Sequence, residues 1–162
     1  MSCDFSQLKA FTDGLQRLKS DDMDEFCRQC TKELAARLLA KVIKRTPVGD
    51  YPSSTGKSGG TLRRGWTAKS ESAAESGGTP NAKQYTDSLQ INKVGNTYQV
   101  EIINPVSYAS YVEFGHRTRG GKGWVDGRFM LTISEQELDT QAPAILERKI
   151  TQKLMEVFGG AK

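Results

Sequence analysis

The chain has 162 residues, which is enough for one compact domain with its own core, whereas two domains would each be marginal. A hydrophobic fraction of 36% and 16 glycines predict long polar segments and a core built from a few well-patterned elements. With 23 basic and 19 acidic residues, the net charge of +4 does not by itself favour a nucleic-acid binder. No secretory signal or apolar run of membrane-spanning length is visible, so we expect a soluble protein made in a reducing cytoplasm.

Two consecutive helices are predicted at the start of the chain. Residues 5–18 form a weak amphipathic pattern that is interrupted at Asp13-Gly14. Residues 20–46 carry apolar side chains at a spacing of three and four, and Pro47 ends the pattern. The second helix is expected to be much the longer.

The cysteines do not favour a metal site. Cys27 and Cys30 form a C-x-x-C pair on the apolar side of the second helix, where two reduced core thiols are the simpler interpretation. A zinc site needs four donors, and the remaining candidates, Cys3 and His116, come from distant parts of the chain. No metal or cofactor is therefore expected.

A long loop is predicted for residues 47–80, which are rich in Gly, Ser, Thr and Lys and lack an apolar period for a helix or a central strand. Leu62 and Trp66 are expected to anchor this loop on the core. Residues 56–58 match the end of a phosphate-binding P-loop, but Tyr51 stands where that motif needs its first glycine. Nucleotide binding is therefore not favoured, and loops of this length commonly carry a function.

A β-hairpin with one face on the core is predicted from the alternating pattern on both sides of Gly95-Asn96. Residues 108–114 then form a short helix or turn that ends at Gly115. Residues 116–128 read as a second flexible loop, basic and rich in glycine.

After the second loop, residues 128–134 are predicted to be extended, with Ser134 capping a final helix. Pro143 should kink this helix or mark its restart near Thr140. The whole order predicts an α+β fold in a single domain, 1–162. N-terminal helices and a long C-terminal helix would pack on a small antiparallel sheet, with flexible loops at 47–80 and 116–128.

Basic and aromatic residues gather in the two loops. Arginine beside an exposed aromatic ring suits nucleic-acid phosphate contact and stacking, and equally suits a protein interface; two solvated loops are the third alternative. His116 is the chain's one histidine, so a histidine-dependent enzyme would have to use it, and we do not expect an enzyme. The residues concerned are Lys57, Arg63, Arg64, Trp66 and Lys69 in the first loop, and Arg117, Arg119, Lys122, Trp124 and Arg128 in the second.

Three blocks of sequence carry a resemblance to a known family. They are "KRTPVGDYPSSTGKSGGTLRRGW", "VEIINPVSYASYVEFGHRT" and "DGRFMLTISEQEL". The residues that match its pattern are Pro47, Thr61, Leu62, Arg63, Tyr108, Ala109, Val112, Glu113, Phe114, Gly115 and Phe129. In their order and spacing the blocks resemble the tail-completion, or head-tail joining, proteins of long-tailed bacteriophages and defective prophages, of the lambda minor tail protein Z type.

The resemblance implies a structural protein of the virion neck, assembled in the bacterial cytoplasm, with no catalysis, cofactor or membrane. Its implied partners are copies of itself in a ring, with a hexamer as one option, the tail terminator or tail tube, head connector proteins, and DNA passing through the channel. Glu113 is expected to pair with an arginine such as Arg63, Arg64 or Arg117, within the subunit or across a ring joint. A free nucleic-acid-binding domain is the alternative function. The candidate assembly residues are Leu62, Arg63, Arg64, Trp66, Glu113, Arg117, Arg119, Lys122, Trp124 and Arg128.

Overall fold

The computed structural model describes residues 6–19, 21–56 and 58–158, and Cys3 and Lys57 lie outside this part. The fold is α+β and mostly helical, as the sequence predicted. Its helices are α1 Ser6–Lys19, α2 Asp21–Arg45, α3 Thr61–Gly65, α4 Glu71–Ser76, α5 Ala82–Asp87, α6 Ala109–Phe114 and α7 Met130–Phe158. Its strands are β1 Asn92–Val94, β2 Thr97–Gln99, β3 Gly115–Arg117 and β4 Trp124–Asp126.

The two N-terminal helices are confirmed, and α2 is the longer, but the predicted interruption of α1 is wrong. The helix runs without a break through Gly14, whose place is set by packing against α7. A β-carbon at Gly14 would lie 2.6 Å from Cε1 of Phe158, so the glycine allows a close approach rather than ending the helix.

The core lies between α2, α3 and the start of α7. Leu39 and Val42 of α2 and Met130 of α7 are fully buried, and Leu62 and Trp66 complete the cluster. Complete burial of side chains of this size contributes roughly 1.5–3 kcal/mol each before the entropic cost of ordering the chain. Packing of α2 against α3 and the start of α7 is therefore a main contribution to the stability of the fold.

A polar network also joins α2 to α7. Ser134, fully buried, donates to the Met130 carbonyl at 2.6 Å and accepts from Nη1 of Arg45 at 2.7 Å. Arg45 and Lys41 then share the Glu137 carboxylate, at 2.6 and 2.9 Å. The two helices are thus held in register by directional bonds as well as by apolar packing.

The start of the last helix differs from its prediction. The extended segment at 128–134 and the cap at Ser134 are wrong, because α7 already begins at Met130 and Ser134 lies inside it. The helix is also continuous through Pro143, so the predicted restart near Thr140 is wrong. Burial of Met130 favours the earlier start, since a helical backbone places this side chain in the core.

The segment 47–80 contains more local structure than predicted. A 3₁₀ turn at Ser53–Thr55 and the helices α3 and α4 lie within it, so the prediction that it lacks helix is wrong. Its anchoring is confirmed, because both Leu62 and Trp66 are buried. Such short helices need tertiary support: the side-chain amide of Asn104, for example, donates to the Leu62 carbonyl at 2.9 Å.

The hairpin at Gly95-Asn96 is confirmed as the antiparallel pair β1–β2. Its strands are short and largely exposed, and the apolar contact with the core comes from flanking residues, with Ile91 buried and Ile102 packed on the core. The other antiparallel pair, β3–β4, forms a separate ribbon. In the described part of the chain, no helix is both long and apolar enough to cross a membrane.

Asp24 of α2 ties the β1–β2 hairpin to the helical body. Its carboxylate accepts hydrogen bonds from Nζ of Lys93 at 2.6 Å, the hydroxyl of Tyr98 at 2.7 Å and Nε of Arg28 at 2.7 Å. These bonds, led by that from Lys93, hold the pKa of Asp24 well below its ordinary value of 3.8. The ionised carboxylate therefore stabilises the folded state.

We expect this stabilisation to depend on pH. Because the folded pKa lies below the unfolded one, the contribution is complete above about pH 5 and declines as the pH falls below about 4. Asp24→Asn should lower the free energy of unfolding at pH 7 and flatten its decline between about pH 5 and pH 2, as measured by urea titration. Asp139→Asn, at an exposed aspartate, is the matched control; equal pH profiles for both variants would contradict the assignment.

Candidate assembly surface

The segment Thr61–Trp66, predicted to contact partners, is largely built into the subunit. Leu62 is 5% exposed and Trp66 is 4% exposed. Nε1 of Trp66 donates a 2.8 Å hydrogen bond to the hydroxyl of Thr46, which is itself fully buried just past the end of α2. These two predicted assembly residues are therefore core residues of the folded subunit.

The two adjacent arginines bind helix ends. Arg63 donates from Nε and Nη2 to the Thr46 carbonyl, at 3.1 and 2.6 Å, next to the C-terminus of α2. Arg64 donates to the Ala74 and Glu75 carbonyls of α4, at 2.6 and 3.2 Å. A guanidinium placed there satisfies carbonyls that lack helical partners and interacts favourably with the helix dipole. Arg63 therefore ties the segment 47–80 to the end of α2, whereas the hydrogen bonds of Arg64 lie within that segment and join α3 to α4.

Glu113, at 6% exposure, caps the N-terminus of α7. Its carboxylate accepts from the backbone N–H groups of Leu131 and Thr132, at 3.0 and 2.9 Å, and from the Thr132 hydroxyl at 2.8 Å. This is the role that a Ser or Asp at the N-cap position usually has, and here a residue of another helix performs it. A negative charge is also favoured at this end of a helix.

The expected ion pairs of Glu113 with Arg63, Arg64 or Arg117 inside the subunit are therefore wrong. Among residues 6–19, 21–56 and 58–158, none of the salt bridges involves Glu113. Its hydrogen bonds also lead to α7 rather than to His116. The β3–β4 ribbon separates Glu113 from α7 in the sequence, so no local sequence signal identifies this cap.

The β3–β4 ribbon connects α6 to α7, where a flexible loop was predicted. The ribbon pairs Gly115 with Asp126 and Arg117 with Trp124. Gly115 ends α6 as predicted, with a φ of +87°, and a β-carbon there would lie 2.5 Å from the Val125 carbonyl oxygen. The residue must therefore be glycine for the two strands to approach this closely.

A sequence signal for this ribbon was present and missed. Gly120 and Gly121 both have positive φ, +103° and +73°, and the N–H of Thr118 donates to the Gly123 carbonyl at 3.0 Å. A Gly-Gly pair between two short runs is a known hairpin turn signal, but the surrounding glycines and basic residues concealed it.

The base of the ribbon is closed by backbone hydrogen bonds to α6. The N–H of Arg128 donates to the Val112 carbonyl at 2.8 Å, and that of Phe129 donates to the Glu113 carbonyl at 3.0 Å. Phe129 takes a φ of +48°, which is unusual for a bulky side chain and persists because the contacts on both sides determine it. Both ends of the ribbon are thus fixed to the helical body.

The ribbon and α6 display large apolar side chains to solvent. Trp124 is 59% exposed, Phe114 62% and Tyr111 59%. The ring of Tyr111 makes an edge contact with His116, with centroids 5.9 Å apart. Exposed aromatic residues on a fixed backbone are typical of interaction sites.

Basic residues surround these aromatic side chains. Arg117, Arg119, Lys122 and Arg128 are all exposed, and Asp126 is the acidic residue among them. In the described part of the chain, none of the four has a hydrogen-bond or ion-pair partner for its side chain. We name the hairpin surface as the set Tyr111, Phe114, Arg117, Arg119, Lys122, Trp124, Arg128 and Phe129.

Chemistry typical of an enzyme is not found at this surface. Nδ1 of His116 is buried and has no hydrogen-bond partner in the described residues. Over those residues, no group of three or more His, Cys, Asp or Glu side chains could hold a metal ion. A cleft of about 710 Å³ lies elsewhere, between α2 and the β1–β2 hairpin, and its lining includes Leu38, Tyr98 and Ile102.

Comparison with known proteins places the chain in a class of viral structural components. Residues 9–115 match the family HK97-gp10-like, described as "Bacteriophage HK97-gp10, putative tail-component". The chain therefore belongs to this family of phage tail components, and a location in the virion tail follows from that membership. The matched range ends at Gly115, before most of the β3–β4 ribbon and α7. Searches of curated proteins and of solved structures give no significant match.

The free energy of unfolding of two variants can test whether Glu113 has a structural role that the exposed Arg117 lacks. Glu113→Ala should lower the free energy of unfolding by about 1–3 kcal/mol, because two partly buried N–H groups of α7 lose their acceptor. Arg117→Ala, at an exposed position of the neighbouring ribbon, should change it by less than about 0.5 kcal/mol. Urea titration at neutral pH measures both, and a Glu113→Ala variant as stable as Arg117→Ala would contradict the cap.

Proposed function

We propose that this tail component acts at the head-tail interface, where it completes or joins the tail as a subunit of a ring in the virion neck. The observation that carries the proposal is the hairpin surface, on which aromatic side chains remain uncovered in a subunit that otherwise has a packed core. The family membership supports a tail role, and the finer resemblance to lambda minor tail protein Z supports the neck.

The composition of the hairpin surface fits a protein partner. Aromatic residues and arginine are enriched at the centres of protein interfaces, where they account for most of the binding free energy. While they are exposed to water, the rings of Phe114 and Trp124 contribute little to the stability of the subunit. When another protein covers them, they bury a large apolar area. We infer that copies of the chain, the tail terminator or tail tube, and head connector proteins cover such surfaces.

A nucleic-acid-binding domain is the second candidate function. It is favoured by the cluster of unpaired basic residues beside an exposed Trp124, since arginine and aromatic rings together suit contact with DNA. In the neck, this function would correspond to DNA passing through the channel. Binding of this kind weakens steeply with salt, because each phosphate contact releases counterions.

The assembly role predicts a defect without unfolding. A phage that lacks this gene product would be complemented with a chain carrying Trp124→Ala and Phe114→Ala. Free heads and unjoined tails should accumulate in electron micrographs, because two anchors of roughly 2 kcal/mol each weaken binding about a thousandfold when lost together.

Tyr51→Ala provides the control, since this aromatic residue is also exposed, at 48%, but lies outside the hairpin surface. It should complement as the unchanged chain does. Normal particles from the double variant would contradict the proposed role of the surface. Tight, salt-dependent binding of the free chain to duplex DNA, with assembly unaffected by the double variant, would favour the second candidate.

A further inference from the structure

The first half of α7 presents an unpaired acidic face. Between Met130 and Glu147 the sequence contains no lysine or arginine. Glu137 is neutralised inside the subunit by Lys41 and Arg45. The other carboxylates on this stretch, Glu135, Asp139 and Glu147, are exposed and have no ion pair in the described part of the chain.

These three carboxylates point away from the core. Helical geometry spreads Glu135, Asp139 and Glu147 over about 120° of the circumference of α7, outside the stripe that carries the buried Leu138 and Ile145. We name Glu135, Asp139 and Glu147 the acidic face.

The hairpin surface and the acidic face are complementary in charge. The former carries four basic side chains against Asp126, and the latter carries three carboxylates and no basic residue. Within the described subunit, no salt bridge joins the two sets. Among the described residues, each surface therefore lacks a partner of opposite charge in its own subunit.

We propose that the hairpin surface of one copy docks on the acidic face of α7 in a second copy. This inference rests on the proposed function, because it names the contact through which subunits would join. A second copy satisfies both surfaces at once, whereas DNA could engage the basic surface and would be repelled by the acidic one. Because the two surfaces differ, each subunit can bind a neighbour on both sides, as a ring requires.

The aromatic and charged residues have different roles in this contact. Exposed ion pairs contribute at most about 1 kcal/mol each and are weakened by salt. They set the orientation and the choice of partner, since juxtaposed like charges are costly. Trp124 and Phe114 of the hairpin surface supply the apolar area that is buried against α7.

The test uses two full-length variants with reversed charge. One carries Arg117→Glu and Arg119→Glu, and the other carries Glu135→Lys and Asp139→Lys, all at exposed positions. Each variant alone has like charges on both surfaces, so its self-association, measured by sedimentation velocity at low salt, should weaken by at least about 100-fold. An equimolar mixture should recover association, because each reversed surface then meets one of opposite charge.

A control variant with the same change of net charge as the hairpin variant carries Lys44→Glu and Lys69→Glu, both exposed and outside the two surfaces. It should associate as the unchanged chain does. The docking is overturned if either reversed variant still self-associates normally, if the mixture fails to recover, or if the unchanged chain stays monomeric at about 1 mM in low salt. A hairpin variant that loses affinity for duplex DNA but keeps normal self-association likewise overturns it.

Failure of the docking and failure of the proposed function give different results. If the unchanged chain completes tails in the complementation assay but does not self-associate through these surfaces, the tail role stands and the docking is contradicted. If the chain self-associates as described but is dispensable for joining heads to tails, the docking stands and the proposed neck role is contradicted.

Discussion

The buried carboxylate of Glu113 is the constraint that fixes the candidate site. It caps α7, while the backbone of the same residue closes the base of the β3–β4 ribbon. Two partly buried N–H groups at the start of α7 would be left without acceptors if the carboxylate moved, at a cost of about 1–3 kcal/mol in total. The ribbon is therefore held between two ends of fixed position, and its exposed side chains occupy defined places.

The basic residues divide into two groups, those whose side chains point into the subunit and those whose side chains point into solvent. Arg63 and Arg64 turn inward: Arg63 binds the Thr46 carbonyl just past α2 and ties the segment 47–80 to the body, while Arg64 binds carbonyls of α4 within that segment. Arg117 and Arg119 point into solvent from a ribbon that also exposes Trp124. The first pair serves folding, so a charge reversal there would disturb the subunit itself, while the second pair is free to meet a partner.

Parts of the fold followed from local pattern alone. The long helix α2, the hairpin at Gly95-Asn96 and the end of α6 at Gly115 were predicted, because periodicity and turn residues act over a few positions. The errors arose where contacts between residues far apart in the sequence determine the local structure. The helix α1 continues through Gly14 because Phe158 packs against it, and α7 begins early because Glu113 replaces a local cap.

The sequence by itself determined the α+β class, the anchoring of Leu62 and Trp66, and a resemblance to phage tail proteins that the family match supports at the level of a tail component. The tertiary structure decided which of the ten candidate residues remain available to partners. Burial and hydrogen bonding depend on residues far apart in the chain, so composition could not distinguish an arginine that caps a helix from one that faces solvent.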